Sequence, residues 1–405
     1  MTSLSIRQKA QQYVVLTGMA LFIGLLVGAI DMIFGRGLLL IGDFRSQHWP
    51  LILFLALAGL VIVYLYKRFG GKASKGMGLI FDVGHAREEK IPLVLVPLIM
   101  LTTWMSHLFG GSVGREGVAV QIGATLSHRF ARYFQFPDAS RIFLMTGMAA
   151  GFAGLFQTPL AATFFALEVL TVGELQLIAL YPALIASIVA SFTSHALGLE
   201  KFAVPLKEML SWTPETLIKV AFLGLAFGLA GKLFAVSLSW LKKTVAKVLP
   251  NPYIRISVIG AGLSLVLLTL QLTKVGTYSG LGTNLIDVAF HQGSAQSYDW
   301  ILKLLFTVVT ISAGYQGGEV TPLFAIGATL GVFLAPLLGL PVLVVAAIGY
   351  ASVFGSATTT LLAPILIGGE VFGYGNLPFF VIACAIAYCL PKEWSIYSGQ
   401  KVAKK

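Results

Sequence analysis

A carboxylic acid sits where glycine breaks an apolar pattern. The stretch reads Gly110-Gly111-Ser112-Val113-Gly114-Arg115-Glu116-Gly117-Val118-Ala119-Val120-Gln121, with apolar runs on both sides. In a bilayer core every backbone N–H and C=O needs a partner. Non-helical backbone is therefore tolerated there only where protein buries it or it lines a wet cavity. An ionisable side chain at that depth is costly too, and by default it marks a functional position. Together the two costs require helices packed around the break and a use for the acid, and a transport site meets both requirements.

Composition places the break in a membrane. Only 11% of the 405 residues are charged and 57% are hydrophobic, whereas a soluble domain carries roughly 25% charged residues. Apolar runs cover residues 14–34, 51–66, 91–108, 178–196, 217–241, 254–270, 302–311 and 323–349. Several reach the roughly 20 residues of a spanning helix, and others are short or cut by Gly and Pro. The expected fold class is an all-α polytopic integral membrane protein with tilted and discontinuous helices. Trp49, Trp104, Trp212, Trp240, Trp300 and Trp394 all fall at or near run ends, as an interfacial belt would place them.

The net charge is +11, with basic residues in scattered groups: Arg7 and Lys9; Lys67, Arg68, Lys72 and Lys75; Lys242, Lys243 and Lys247; Lys401, Lys404 and Lys405. This pattern reads as cytoplasmic marking, both termini inside, and not as a nucleic-acid face; the lack of a regulatory domain fits a bacterial inner membrane. No cleavable signal and no regulatory domain is expected. Cys384 and Cys389 are spaced for neither a redox pair nor zinc. His48, His85, His107, His128, His195 and His291 show no ligand spacing. Neither a metal nor a cofactor is expected.

The chain reads as two halves, residues 1–200 and 213–405. Ile122-Gly123-Ala124-Thr125-Leu126 recurs as Ile326-Gly327-Ala328-Thr329-Leu330, an offset of 204. The same offset carries Gly110 to Gly314, Gly114 to Gly318, Gly151 to Gly355 and Ala153 to Ala357; Pro159 falls one residue short of Pro364. With residues 242–247 and the N-terminus inside, the linker near 199–212 lies outside. Each half then crosses an odd number of times, so the repeats are inverted, an architecture of many secondary transporters. The breaks at 114–118 and 317–322 would face each other, each opening a helix, near Val118 and near Pro322. Proline suits a first helical turn. Two helix N-termini aimed at one point offer free N–H groups and dipole ends to an anion.

At these residues the chain resembles the CLC anion channels and transporters, over essentially the whole transmembrane core. Gly114-Arg115-Glu116-Gly117 matches the family's GREG segment. Gly317-Gly318-Glu319-Val320-Thr321-Pro322 stands where chloride-selective members have GGIFAP, and Gly76-Met77-Gly78-Leu79-Ile80 where they have GSGIP. Ser395-Ile396-Tyr397-Ser398 fits the segment of the inner-gate tyrosine, and Phe156-Gln157-Thr158-Pro159-Leu160-Ala161 through Glu168 another family stretch. The departures are similar to the fluoride-exporting clade, which exchanges fluoride for protons: Met77 for the chloride-coordinating serine, Glu319 and Thr321 for apolar residues, and Val169 for an inner proton-relay glutamate. The resemblance implies a homodimer with a pore in each subunit.

Residue by residue, Glu116 is expected to alternate between a carboxylate filling an anion position and a protonated form that carries the proton; the plainer alternative is a helix-start acid paired with Arg115. Glu319 either donates a hydrogen bond to fluoride when protonated or pairs with Arg115 or a lysine. Thr321 adds a hydroxyl at the site or caps its helix. Met77 removes a donor suited to chloride or merely fills space. Gly78, Gly117, Val118 and Val320 complete the expected anion set. Tyr397 is an inner gate by resemblance or an interfacial aromatic beside Trp394. Arg115 is expected to hold loop carbonyls or an acid such as Glu168, with Glu168 a structural partner. The expected partners are fluoride and protons, with chloride at most a weak one; a chloride/proton exchanger and a passive anion channel are the rival transport readings. Gly110-Gly111-Ser112-Val113-Gly114 matches G-x-S-x-G, but that elbow needs a strand–turn–helix setting. No nucleotide-binding pattern points to ATP drive.

Overall fold

The computed structural model describes residues 6–273, 278–292 and 295–403, the side chains of 6–10 and 292 excepted. Lys404, Lys405 and the side chains of Arg7 and Lys9, all counted among the basic markers, lie outside the described residues. Eight helices run in order: α1 (Ile6–Gln47), α2 (Leu55–Leu65), α3 (Met77–Gly84), α4 (Leu95–Leu108), α5 (Glu116–Ala131), α6 (Ala139–Phe156), α7 (Pro159–Glu168) and α8 (Leu180–Ala196). Eight more repeat that succession: α9 (Pro214–Val248), α10 (Pro252–Leu272), α11 (Thr283–Asp287), α12 (Asp299–Ala313), α13 (Val320–Leu338), α14 (Val342–Thr358), α15 (Leu362–Phe372) and α16 (Leu377–Tyr388). Two short strands, β1 (Thr171–Val172) and β2 (Lys401–Val402), pair in parallel. The fold is the expected all-α membrane bundle of two inverted repeats.

Helix length explains why the bundle is discontinuous. Seven helical stretches among the described residues are long and apolar enough to cross a bilayer. The 10-residue α7 rises only about 15 Å, half of a hydrocarbon core of about 30 Å. Helices that stop at such depth leave end groups that need partners, and the breaks supply them to each other. Gly114 N–H donates to the Gly318 carbonyl at 2.5 Å, and Gly318 N–H donates back to the Gly114 carbonyl at 2.7 Å. A side chain on Gly114 would meet Pro322 Cδ at 2.8 Å and the Gly318 carbonyl oxygen at 2.9 Å. The 204-residue offset is thus a physical pairing across the repeat axis. The helices after the breaks begin at Glu116 and Val320, each two residues earlier than expected.

Beyond the breaks the register slips. The α5–α6 hairpin closes where Gly123 meets the Gly147 carbonyl; the α13–α14 hairpin closes where Gly327 meets the Gly349 carbonyl. The first glycines keep the offset of 204, but 349 less 147 is 202. The matches of Gly151 with Gly355 and Ala153 with Ala357 are therefore not structural equivalents. Gly151 packs on α5 at Ala119 and Gly355 on Pro364. Small residues that let membrane helices approach this closely leave no room for a methyl group. Gly123→Ala should destabilise the fold by about 1–3 kcal/mol, the usual cost of overpacking, read as a lower thermal midpoint in detergent; an unchanged midpoint would refute the packing.

Three other expectations change. The run 323–349 is two helices, α13 and α14, joined by the turn through Gly339 (φ +61°). The almost wholly buried α6 is not among the expected runs, since its Gly- and Ala-rich sequence has the lowest mean hydropathy of the seven long apolar stretches. Trp104 is no belt residue: its indole N–H donates to the Phe34 carbonyl at 3.2 Å and its ring stacks on Phe34. Cys384 is buried in α16, whereas Cys389 lies exposed at its end.

Candidate functional site

The paired breaks separate two cavities. One, of about 640 Å³, is lined by Arg115, Glu116, Thr321 and Tyr350, with His107 and Phe156 beside them. The other, of about 260 Å³, is lined by Met77, Gly78, Gly117, Gln121, Glu319 and Tyr397. The two acids of the breaks thus face different cavities, Glu116 the larger and Glu319 the smaller.

Glu116 is fully buried in the first turn of α5. Its Oε2 accepts hydrogen bonds from the Thr321 N–H at 3.0 Å and the Thr321 hydroxyl at 2.5 Å. The carboxylate of one helix start therefore occupies the N-terminal end of the other, α13, where backbone donors and the dipole favour negative charge. Oε1 has no hydrogen-bond partner among the described residues. Arg115 Nε lies 3.5 Å from it, a long ion pair. The plainer reading, an acid paired with Arg115, rests on two long contacts, this one and the Arg115 N–H donating to Oε2 at 3.4 Å, whereas the short bonds come from Thr321. Thr321 does not cap α13, because its hydroxyl is turned across the axis to Glu116. The N–H groups of Gly117 and Val320 carry no hydrogen bond among the described residues, whereas the Val118 N–H is already bonded to the Arg115 carbonyl at 3.1 Å. Val118 and Val320 side chains line neither cavity, and Val118 has no free donor for an anion.

Around the smaller cavity, α3 starts at Met77 behind Gly76, whose φ of +53° suits glycine. Glu319 precedes α13 and makes no ion pair among the described residues, so a partnership with Arg115 is not seen; Lys242 lines the same cavity and acts on it only at longer range. Tyr397 is buried against Phe81 and Phe165, at ring-centroid distances of 5.3 and 6.4 Å. Its hydroxyl has no partner among the described residues. It is an interior residue, not an interfacial one, while nearby Trp394 is exposed.

Glu168 is not Arg115's acid. Its carboxylate accepts from the backbone N–H groups of Leu361, Leu362 and Ala363, at 3.0, 3.1 and 2.8 Å, capping α15. Arg115 Nε and Nη1 have no hydrogen-bond partner among the described residues, so the expected grip on loop carbonyls is absent there. The counterpart of Glu168 went unnoticed: Glu370 on α15 accepts from Leu160 and Ala161 N–H at 3.1 and 2.8 Å, capping α7. Here 370 less 168 is again 202, so an offset allowed to slip by two residues would have found it.

Other buried polar groups were also missed, although each interrupts an apolar run. Lys303 donates to Ser112 Oγ at 2.9 Å and to the carbonyls of Tyr278 and Gly280 at 3.2 and 2.7 Å, tying the first break to the segment before α11. Ser112 Oγ also lies 2.9 Å from the Thr307 hydroxyl. Among the described residues no strand precedes Ser112, so the elbow setting is not seen there. Asp31 on α1 is fully buried against Gly154, and neither carboxylate oxygen has a partner among the described residues.

The profile described as voltage gated chloride channel matches residues 58–392. The chain belongs to the CLC family. A chloride/fluoride channel protein of Pseudomonas syringae pv. tomato is 37% identical to this CLC protein over 384 residues, 94% of this chain and 85% of that one. The ClC-type chloride channel ClcB of Salmonella typhimurium is 25% identical over 77% of this chain and 74% of its own. A crystal structure described as a CLC-type fluoride/proton antiporter superposes with a TM-score of 0.94 at 51% identity, covering 99% of this chain and 100% of that one. A slow cyanobacterial Cl⁻/H⁺ antiporter superposes at 0.79 with 22% identity, over 98% and 97% of the two chains; that likeness concerns the fold alone. This CLC protein is accordingly a multi-pass membrane protein of an anion-transporting family.

Proposed function

We propose that this CLC protein exchanges fluoride for protons across the cytoplasmic membrane, exporting fluoride, with Glu116 as gate and proton carrier. The observation that carries the reading is the Glu116 carboxylate seated on the Thr321 N–H and hydroxyl. A carboxylate in that seat excludes an anion from the same donors. A proton weakens its hold, because a neutral carboxyl gains less from N–H donors and a dipole end. Proton and anion then compete for one place, and linkage makes each govern the other's occupancy. The likeness to a fluoride/proton antiporter favours this anion pair.

In this reading the cavity of Met77, Glu319 and Tyr397 opens to the cytoplasm, since Lys75 and Lys242 also line it and both mark that side. Gly117 and Val320 offer free N–H groups, and protonated Glu319 donates to fluoride, a strong acceptor. Both termini are cytoplasmic and the protein works as a homodimer, one pore per subunit.

The anion is tested on purified protein in liposomes, with fluoride and chloride efflux followed by selective electrodes. Fluoride should leave much faster than chloride; equal rates would refute the assignment. Met77→Ser restores a hydroxyl donor and should narrow the fluoride preference by about tenfold, the order of one neutral hydrogen bond. Unchanged selectivity would make Met77 a filler.

A further inference from the structure

Tyr397 lies on no helix or strand. It belongs to the segment between α16 and β2, so its position depends on what holds that segment. Two side chains hold it, one at the residue three before Tyr397 and one from the residue three after it. On one side, Lys232 Nζ from α9 donates to the Trp394 carbonyl at 2.8 Å and the Thr359 hydroxyl at 3.1 Å. On the other, the Gln400 amide donates to the carbonyls of Val169 at 2.8 Å and Thr358 at 3.1 Å. Between them the Ile396 N–H donates to the Ala357 carbonyl at 3.0 Å, and beyond Gln400 the chain enters β2, fixed to β1 after α7.

Lys232 is 2% exposed and forms no ion pair among the described residues. Burying an ammonium with no acid in contact is costly unless its hydrogen bonds and surrounding dipoles compensate; the nearby Glu393 acts on it only at longer range. Here it lies at the C-terminal end of α14, where the dipole favours a cation, and both its acceptors belong to the frame of Tyr397. Thr359 itself is held at φ +55°, a conformation uncommon outside glycine and asparagine. The two clamps tie the segment to α9, the end of α14 and the end of α7, and Tyr397 between them lines the smaller cavity.

We propose that Lys232 and Gln400 are positioning residues that hold Tyr397 across the inner mouth, keeping it shut to anions while Glu116 exchanges its proton. This rests on the reading that Tyr397 closes the inner side. Loosening either clamp lets Tyr397 swing, so that fluoride passes without a proton and the coupling ratio falls while the outer side is untouched.

The test measures fluoride efflux and proton uptake together in liposomes for Gln400→Leu, Lys232→Met, Lys232→Arg, Tyr397→Ala and the combinations with Tyr397→Ala. Gln400→Leu and Lys232→Met should each raise proton-independent fluoride leak by about tenfold, the scale of one or two lost hydrogen bonds. Lys232→Arg should restore most of the coupling. In the Tyr397→Ala background neither change should add leak, because the clamped group is gone. Unchanged leak in Gln400→Leu overturns the proposal, and that variant decides alone if Lys232→Met does not fold. Leak that multiplies in the Tyr397→Ala background also overturns it, since the clamps would then serve the fold at large. A Tyr397→Ala protein with full coupling would instead refute the inner-gate reading, and the clamp with it.

Discussion

Glu116→Ala is expected to abolish proton uptake while fluoride still crosses. The carboxylate is the titratable group in the seat at the start of α13, bonded through Thr321. Without it the donors stay open to an anion at every stage, and nothing there gains or loses a proton. The expected record is fluoride efflux that no longer responds to a proton gradient, with proton uptake at the level of protein-free liposomes. Glu116→Gln should behave similarly for protons, because an amide fills the space but does not titrate. Retained coupling in the alanine variant would mean that the proton travels elsewhere.

The second large effect is expected at Glu319. It lines the smaller cavity with Met77 and Tyr397 and makes no ion pair among the described residues. A charged acid there would repel an anion, whereas a protonated one donates to it. Glu319→Ala should lower fluoride turnover by about 10- to 100-fold, the range for losing a hydrogen bond to a charged group. Glu319→Gln keeps a neutral donor and should recover part of that loss. Initial efflux rates check this; an alanine variant as fast as the parent would remove Glu319 from the site.

Much of the geometry of the candidate site was legible because its main elements break rules that sequence makes visible. An acid and several glycines inside apolar sequence marked residues 110–121, and the repeated Ile-Gly-Ala-Thr-Leu located the second break. Their meeting is the Gly114–Gly318 pairing. The partner chosen by each side chain was not legible. Nothing local says that Thr321 turns its hydroxyl to Glu116, or that Glu168 caps α15 instead of meeting Arg115. Those choices depend on contacts between segments roughly 200 residues apart. Glu370 was hidden by a rigid offset, since the α13–α14 hairpin closes two residues sooner than its counterpart. Lys232, Lys303 and Asp31 were visible in principle as charges inside apolar runs, and what each one touches came only from the packing.

The central claim is that fluoride and proton movements are obligatorily linked at Glu116. It is tested most directly by loading liposomes with fluoride, clamping the voltage near zero and recording external pH as fluoride runs out. The account predicts alkalinisation outside, as protons are drawn in against an opposing proton gradient, and its complete loss in Glu116→Ala. Fluoride efflux from the parent protein with no uphill proton movement would contradict the account and leave a passive anion pathway.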